Sequence, residues 1–230
     1  MLDFARFEYL SFDCYGTLID WESGILGYLR PLLQGKGCNV SDARLLNFYS
    51  ECEPRHQQLP YRTYREVLGS VMLDFAHEFR VQLSDAEVHG LANSIRNWEP
   101  FPDTVAALRR LKSRYMLAVL SNIDDDLFAM TAAKLGVQLD CVVTAQQAQS
   151  YKPSLHNFEM LLDRSQVERN HLLHVAESLY HDAVPAHSLG IATVWVNRRQ
   201  GRTAAATKLV VATPDLEVAS VAALADLAVC

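Results

Sequence analysis

Apolar residues fall along this chain in two rhythms. In five places they gather into short runs with little polar alternation: FEYLSFD (7–13), MLAVLSN (116–122), CVVTA (141–145), LLHVAES (172–178) and ATVWVN (192–197). Runs this short do not make independent helices. Their Val, Leu and aromatic content suits strands buried on both faces of a parallel sheet. Between the later runs the apolar positions recur at helical spacing. TVAALRRLKSR (104–114) follows Pro102 and Asp103, with Asp103 the expected N-cap. DLFAMTAAKLG (126–136) ends on Gly136, where a C′ glycine belongs. SLHNFEMLLDRS (154–165) begins on Ser154, and AVPAHSLG (183–190) closes on another glycine. This alternation predicts an α/β fold with a doubly wound parallel sheet, a Rossmann-like core.

The segment 19–98 breaks the alternation. GILGYLRPLLQ, DARLLNFYSECEPRHQQ, YREVLGSVMLDFAHEFR and DAEVHGLANSIRN are helical patterns with almost no strand-like run between them. They predict an all-helical cap domain (19–98) inserted after the first strand of a core made from 1–18 and 99–230. Two prolines and Asp103 in NWEPFPDT (97–104) mark the return to the core. GRTAAATK (201–208) reads as an exposed loop.

Composition narrows the function classes. The chain has 230 residues, half of them apolar, enough for a buried core. Its net charge of −6 is spread along the chain with no basic run, so neither nucleic acid nor a membrane is an expected partner. No stretch of 18 apolar residues predicts a membrane span. The beginning, MLDFARFEYL, lacks the long apolar region of a secretory leader. Five cysteines without CxxC spacing suit a reduced, cytoplasmic setting.

In open α/β sheets, ligands bind beyond the carboxyl ends of the strands. Polar residues stand at four of these ends: Asp13 after the first, Ser121 and Asn122 after the second, Lys152-Pro153 after the third, Glu177, Ser178 and Asp182 after the fourth. Singly each is an ordinary cap, helix start or loop residue. Gathered at one edge they form a candidate site. Cys14 is expected to face away from Asp13 as a buried apolar residue. The histidines show no HxH or HExxH spacing, His174 falls within the fourth strand, and neither it nor His181 is assigned a catalytic role.

The ordered set FDCYGTLID, LAVLSN, YKPSLHNF and HVAESLYHD resembles the haloacid dehalogenase superfamily. The helical insertion is similar to that family's first type of cap. The resemblance implies Asp13 as nucleophile, Ser121 and Asn122 as second motif, Lys152 as third, and Glu177, Ser178 and Asp182 as fourth. Family phosphatases carry a second Asp two residues after the nucleophile, to protonate a basic leaving group. Here that position is Tyr15, with an ordinary pKa of about 10. A halide needs no proton to depart, so Asp-x-Tyr resembles the family's (S)-2-haloacid dehalogenases. Gly16, Thr17 and Leu18 match them as well. The implied chemistry is attack of Asp13 on C2 of a small (S)-2-haloalkanoate, with hydrolysis of the aspartyl ester to the (R)-2-hydroxy acid. Lys152 would keep Asp13 ionised, Asp182 would activate water, and Thr17 and Ser178 would hold the carboxylates. Ser121 would bind the substrate carboxylate and Asn122 the halide, with Tyr15 and Trp21 as an apolar wall. The family's cap arginine, which takes the halide, has candidates in Arg55, Arg62 and Arg65. No cofactor is implied, the partners are a small carboxylate and halide, and a homodimer is suggested by the resemblance alone.

The fourth motif departs from the dehalogenase pattern. It has one residue more before Asp182, closer to the spacing of the magnesium-dependent members. Glu177 would then join Asp13 and Asp182 as a magnesium ligand. The alternative is therefore a magnesium-dependent phosphatase acting on a small phosphate ester, and a third reading is a catalytically idle binding protein. Release of halide or of phosphate separates the first two, and failure to release either points to the third.

Overall fold

Each of the five apolar runs forms a strand in the computed structural model, which describes residues 2–58, 60–198 and 211–229. The strands are β1 (Tyr9–Phe12), β2 (Met116–Ser121), β3 (Cys141–Thr144), β4 (Leu172–Ala176) and β5 (Ala192–Val196). A short sixth, β6 (Leu216–Val218), adds to the edge. All neighbours pair in parallel, in the order β3-β2-β1-β4-β5-β6. The chain leaves β1 toward β2 and β3, then returns to lay β4 on the other side of β1. The switch point lies between β1 and β4, where doubly wound folds open a crevice for ligand. Asp13 stands there, its N–H donating to the Val175 carbonyl at 3.1 Å. β4 is buried along its whole length, as a central strand covered on both faces should be.

Between β1 and the helix that leads into β2, the described residues form helices and no strand: α1 (Trp21–Gly35), α2 (Asp42–His56), α3 (Tyr64–Glu78), α4 (Asp85–Val88) and α5 (Gly90–Ser94), with a 3₁₀ turn at Ile95–Asn97. The two chain crossings run side by side. Asp20 donates to the Glu99 carbonyl at 2.9 Å, and Phe101 to that of Leu18 at 3.0 Å. A second tie joins α3 to the core. Asp124, just beyond β2, accepts the backbone N–H groups of Tyr64 and Arg65 at 2.8 and 3.0 Å. A carboxylate there meets the positive end of the helix dipole. The Arg65 side chain pairs with Asp126 rather than reaching a ligand.

The remaining helices are α6 (Thr104–Lys112), α7 (Asp125–Leu135), α8 (Ala145–Ala148), α9 (Leu155–Ser165), α10 (Val184–Ser188) and α11 (Val221–Ala228). Gly136 ends α7 in the left-handed conformation at φ 69°. Asp103 is not the side-chain cap expected of it: its backbone is helical rather than extended. Its carboxylate instead accepts from Arg198 at 2.7 Å and from the Ala222 N–H at 3.1 Å. The loop expected at 201–208 lies outside the described residues. No helix among the described residues is long and apolar enough to cross a membrane.

Candidate active site

The turn after β1 sets the floor of the site. Leu18 and Ile19 both donate to the Cys14 carbonyl, and Gly16 donates to that of Ile19 at 2.9 Å. Gly16 holds φ +100°, and a Cβ there would come within 3.1 Å of the Trp21 indole nitrogen, so only glycine fits. This tight reversal carries Thr17 back beneath Asp13, where its hydroxyl donates to Asp13 Oδ2 at 2.7 Å. Lys152 reaches in from the loop after α8, and its Nζ donates to Asp13 Oδ1 at 2.8 Å, to Asp182 Oδ1 at 2.6 Å and to the Leu120 carbonyl at 2.9 Å. All three N–H bonds of the ammonium are used. Lys152 is 2% exposed and Asp182 fully buried. A single π-helical turn, Leu179–Ala183, absorbs the extra residue of the fourth motif and brings Asp182 back over the sheet.

Asp182 is fixed from below as well. His174, on β4, bonds Asp182 Oδ1 through Nε2 at 2.9 Å and Ser11 through Nδ1 at 2.8 Å. His174 lies in the strand as expected, and its contact with Asp182 makes it a positioning residue that sequence reading did not find. An inward-facing histidine in a strand of otherwise apolar residues was the available signal. Burial pushes the Asp13 carboxyl above its usual value, against the pull of Lys152. Burial would also raise Asp182, but Lys152 and His174 outweigh it and hold this acid low. Desolvation works against the Lys152 ammonium, yet the two carboxylates keep its pKa above the usual amine value. The floor therefore carries two carboxylates against one ammonium. Of the three buried side-chain atoms that make no hydrogen bond among the described residues, the Tyr61 hydroxyl lies elsewhere and two belong to residues of the floor: Asp182 Oδ2 and Ser121 Oγ. Both residues line a cavity of about 40 Å³ beside Asp13. A fixed carboxylate, a second one with an open oxygen and an open hydroxyl suit nucleophilic attack, water activation and binding of an acceptor.

The helical insertion forms the roof. Trp21, Glu53, Gln57 and Tyr64 line the cavity from that side. Tyr49 packs edge-on against Trp21 at 5.7 Å between ring centres. Tyr15 lines the wall with its ring. Its hydroxyl is bonded to Thr131 at 2.7 Å, and burial pushes its pKa far above the ordinary tyrosine value.

Several expected contacts are not made. Arg55 and Arg62 do not line the cavity. Arg55 is solvent-facing and bonds Asp74 and Cys52, because its turn of α2 puts Cys52 and Glu53 inward and Arg55 outward. Arg62 lies ahead of α3 and donates to the Glu66 carbonyl and the Ser70 hydroxyl. The side-chain amide of Asn122 is engaged at both ends by the Lys152 backbone, at 2.7 and 3.1 Å, so it braces the lysine loop while lining the cavity, with one amide N–H bond left over. Ser178 caps the π-helical turn by accepting from the His181 N–H at 3.1 Å and bonds the His181 ring, and so holds no carboxylate. His181, unassigned from sequence, lines the cavity, with burial lowering its pKa to about 4.

The magnesium ligand set does not assemble. Asp13 and Asp182 share the Lys152 ammonium through their Oδ1 atoms. Glu177 lines a neighbouring cavity with Gly16, Trp21 and Arg198. No cluster of three metal-ligating side chains occurs among the described residues.

Comparison with known proteins agrees with this architecture. Residues 8–190 match the haloacid dehalogenase-like hydrolase family. The (S)-2-haloacid dehalogenase 4A of Burkholderia cepacia is 27% identical over 205 residues, 82% of this chain and 82% of the relative. Haloacetate dehalogenase H-2 of Moraxella sp. (strain B) is 24% identical over 84% of this chain and 87% of its own. In fold, the L-2-haloacid dehalogenase of Xanthobacter autotrophicus, solved with chloropropionic acid covalently bound, superposes with a TM-score of 0.80 at 18% identity. That match covers 96% of this chain and 98% of the other.

Proposed function

This chain belongs to the haloacid dehalogenase-like hydrolases, and from that premise we propose that it hydrolyses a small (S)-2-haloalkanoate to the (R)-2-hydroxy acid through an ester on Asp13. The observation that carries the reading is the floor together with Tyr15. Asp13 is fixed by Thr17 and Lys152. The position two residues on, where a leaving-group acid would stand, holds Tyr15, whose hydroxyl is tied to Thr131. Displacement of a halide is the chemistry that asks nothing of that position, since halides are very weak bases. The named activities of the relatives point the same way.

In the first step an Asp13 oxygen attacks C2 from behind, the C–halogen bond breaks, and halide leaves with the electron pair. In the second, water attacks the Asp13 carbonyl carbon. One water proton passes to Asp182, whose Oδ2 makes no hydrogen bond among the described residues. The tetrahedral centre then collapses with cleavage of its bond to the C2 oxygen, Asp182 returns that proton to the departing alkoxide, and the other water proton leaves Asp13 for solvent, restoring its carboxylate. Lys152 balances the developing oxyanion. The Ser121 hydroxyl donates to the substrate carboxylate. The cavity volume of about 40 Å³ suits a substrate of few carbons. The helical insertion acts as a lid whose hinge is the paired crossing at 18–20 and 99–101.

The test is a single turnover of (S)-2-chloropropanoate in heavy-oxygen water, with chelator and excess enzyme. Chloride release, an unlabelled product and a labelled Asp13 peptide are expected. Labelled product would make Asp13 a general base. Phosphate-ester hydrolysis that needs magnesium, with no chloride released, would replace the reading by the phosphatase.

A further inference from the structure

The roof contains an acid that the chemistry above does not use. Glu53 continues the buried stripe of α2, four residues after Tyr49, and is only 5% exposed. The hydroxyls of Tyr64 and Tyr49 converge on its Oε1 at 2.6 and 3.1 Å, and stand 2.9 Å from each other. Oε2 makes no hydrogen bond among the described residues. Glu53 lines the same cavity as Asp13, and among the described residues no basic side chain of the insertion does. Lys152 has spent its three N–H bonds on the floor.

We propose that Glu53 determines the specificity of this pocket: it stands in the roof as the neutral acid, and an anionic substrate binds only while Glu53 keeps its proton. The inference rests on the carboxylate substrate proposed above. Its logic is a charge count. An ionised Glu53 would set three carboxylates against one ammonium before the substrate brings its own negative charge. A protonated Glu53 removes that excess. With Oε1 accepting from two tyrosines, the proton sits on Oε2 as a donor for the incoming anion. Burial lifts Glu53 to about 7, the Tyr64 and Tyr49 hydroxyls pulling the other way. Its surroundings stay quiet near that pH: burial drives Tyr49 and Tyr64 far above the ordinary range and raises Tyr151, and His181 is lowered to about 4. On the floor, Lys152 is held above and Asp182 below their usual values, and Asp13 is raised by burial. Replacing Glu53 separates its titration from that of Asp13.

Propanoate, an unreactive carboxylate, is the probe. Its binding is measured by calorimetry between about pH 5.5 and 9, in two buffers of different ionisation heat. Affinity should be flat below neutrality, fall about tenfold per pH unit above 7, and carry uptake of about one proton at pH 8. Glu53→Gln, which keeps the shape without the charge, should abolish both the slope and the proton uptake and bind at pH 8 as the wild type does at pH 6. Propanoate binding without proton uptake in the wild type overturns this inference alone. So does an unchanged slope in Glu53→Gln, or a variant whose kcat for chloride release drops more than about tenfold with KM unaltered, which would make Glu53 a proton donor to the leaving group. Failure of the wild type to bind propanoate at any pH sinks the carboxylate reading as well. The proton count in the wild type needs no variant, so it stands even where Glu53→Gln does not fold.

Discussion

The floor and the roof of the cavity solve the problem of buried polarity in opposite ways. Below, Asp13, Lys152, Asp182 and His174 form one continuous network in which the ammonium answers both carboxylates directly. Above, among the described residues, Glu53 is met by two tyrosine hydroxyls and by no cation. The energetic consequence follows from the cost of isolated buried charge: the floor can remain ionised, and the roof stays neutral by keeping a proton. The charges used in the proposed reaction come from the core: Asp13 directly after β1, Lys152 from the loop after α8 and Asp182 from the turn after β4. The insertion supplies shape, aromatic walls and a titrating donor.

The largest effect expected on this contrast comes from the proposed nucleophile. Asp13→Ala should lower chloride release about a millionfold. It should leave thermal stability unchanged or raised, because it removes the surplus negative charge of the floor. A variant with measurable turnover would mean that the floor is not the reactive surface. Next is Lys152→Met. Without the ammonium the two carboxylates face each other uncompensated, so activity should fall about a thousandfold. Denaturant unfolding should show a loss of about 3–5 kcal/mol. Turnover near the wild-type rate would reduce Lys152 to a structural brace.

Smaller effects sharpen the comparison. His174→Leu should slow turnover about tenfold and let the aspartyl ester accumulate, seen as a mass increase after acid quench, with His174→Gln partly restoring the rate because it keeps a donor to Asp182. Glu53→Gln should change stability with a definite sign. Glu53 goes from its usual 4.5 to about 7 on folding. The folded chain thus binds the extra proton between those values, and wild-type stability falls as pH rises through that window. The variant should equal the wild type near pH 4.5 and exceed it above pH 7 by about 3 kcal/mol at most. Equal stabilities at pH 8 would show that Glu53 ionises without penalty. Smallest of all, Arg55→Ala and Arg62→Ala should each leave kcat/KM within about twofold and stability within about 1 kcal/mol, since both side chains make only exposed or local contacts. A large loss in either would place an arginine in the roof after all.

Legibility divides along the same line. The five main strands, the helical insertion and the gathering of Asp13, Lys152 and Asp182 follow from local pattern, because the segments that leave the strands of a parallel sheet start from one edge; Thr17 is reached only through the family resemblance. β6 escaped notice because three residues, LEV, carry no periodic signal and gain their place by pairing with β5. The roof resisted for another reason. Helical rotation decides which side chain faces the cavity, and two positions along α2 separate the inward Glu53 from the outward Arg55. The stripe Leu45, Leu46, Phe48, Tyr49, Cys52 does continue into Glu53, and an acid at the end of an apolar stripe was the mark to follow. Asn122 and Ser178 were placed correctly at the strand ends, yet their hydrogen bonds go to loops. Sequence position does not specify a hydrogen-bond partner.

The missing cation of the roof also bears on how the proposed reaction runs backwards. Once halide has left C2 in that reaction, no basic side chain of the insertion lines the cavity among the described residues to hold it by charge, and the Lys152 ammonium lies on the floor against its own acids. Recapture would have to compete with water for a small anion in a pocket already rich in carboxylate. Product halide should therefore be a poor inhibitor: chloride added well above the substrate concentration should leave the initial rate nearly unchanged, whereas a site that clasped halide with an arginine would be slowed by its own leaving group.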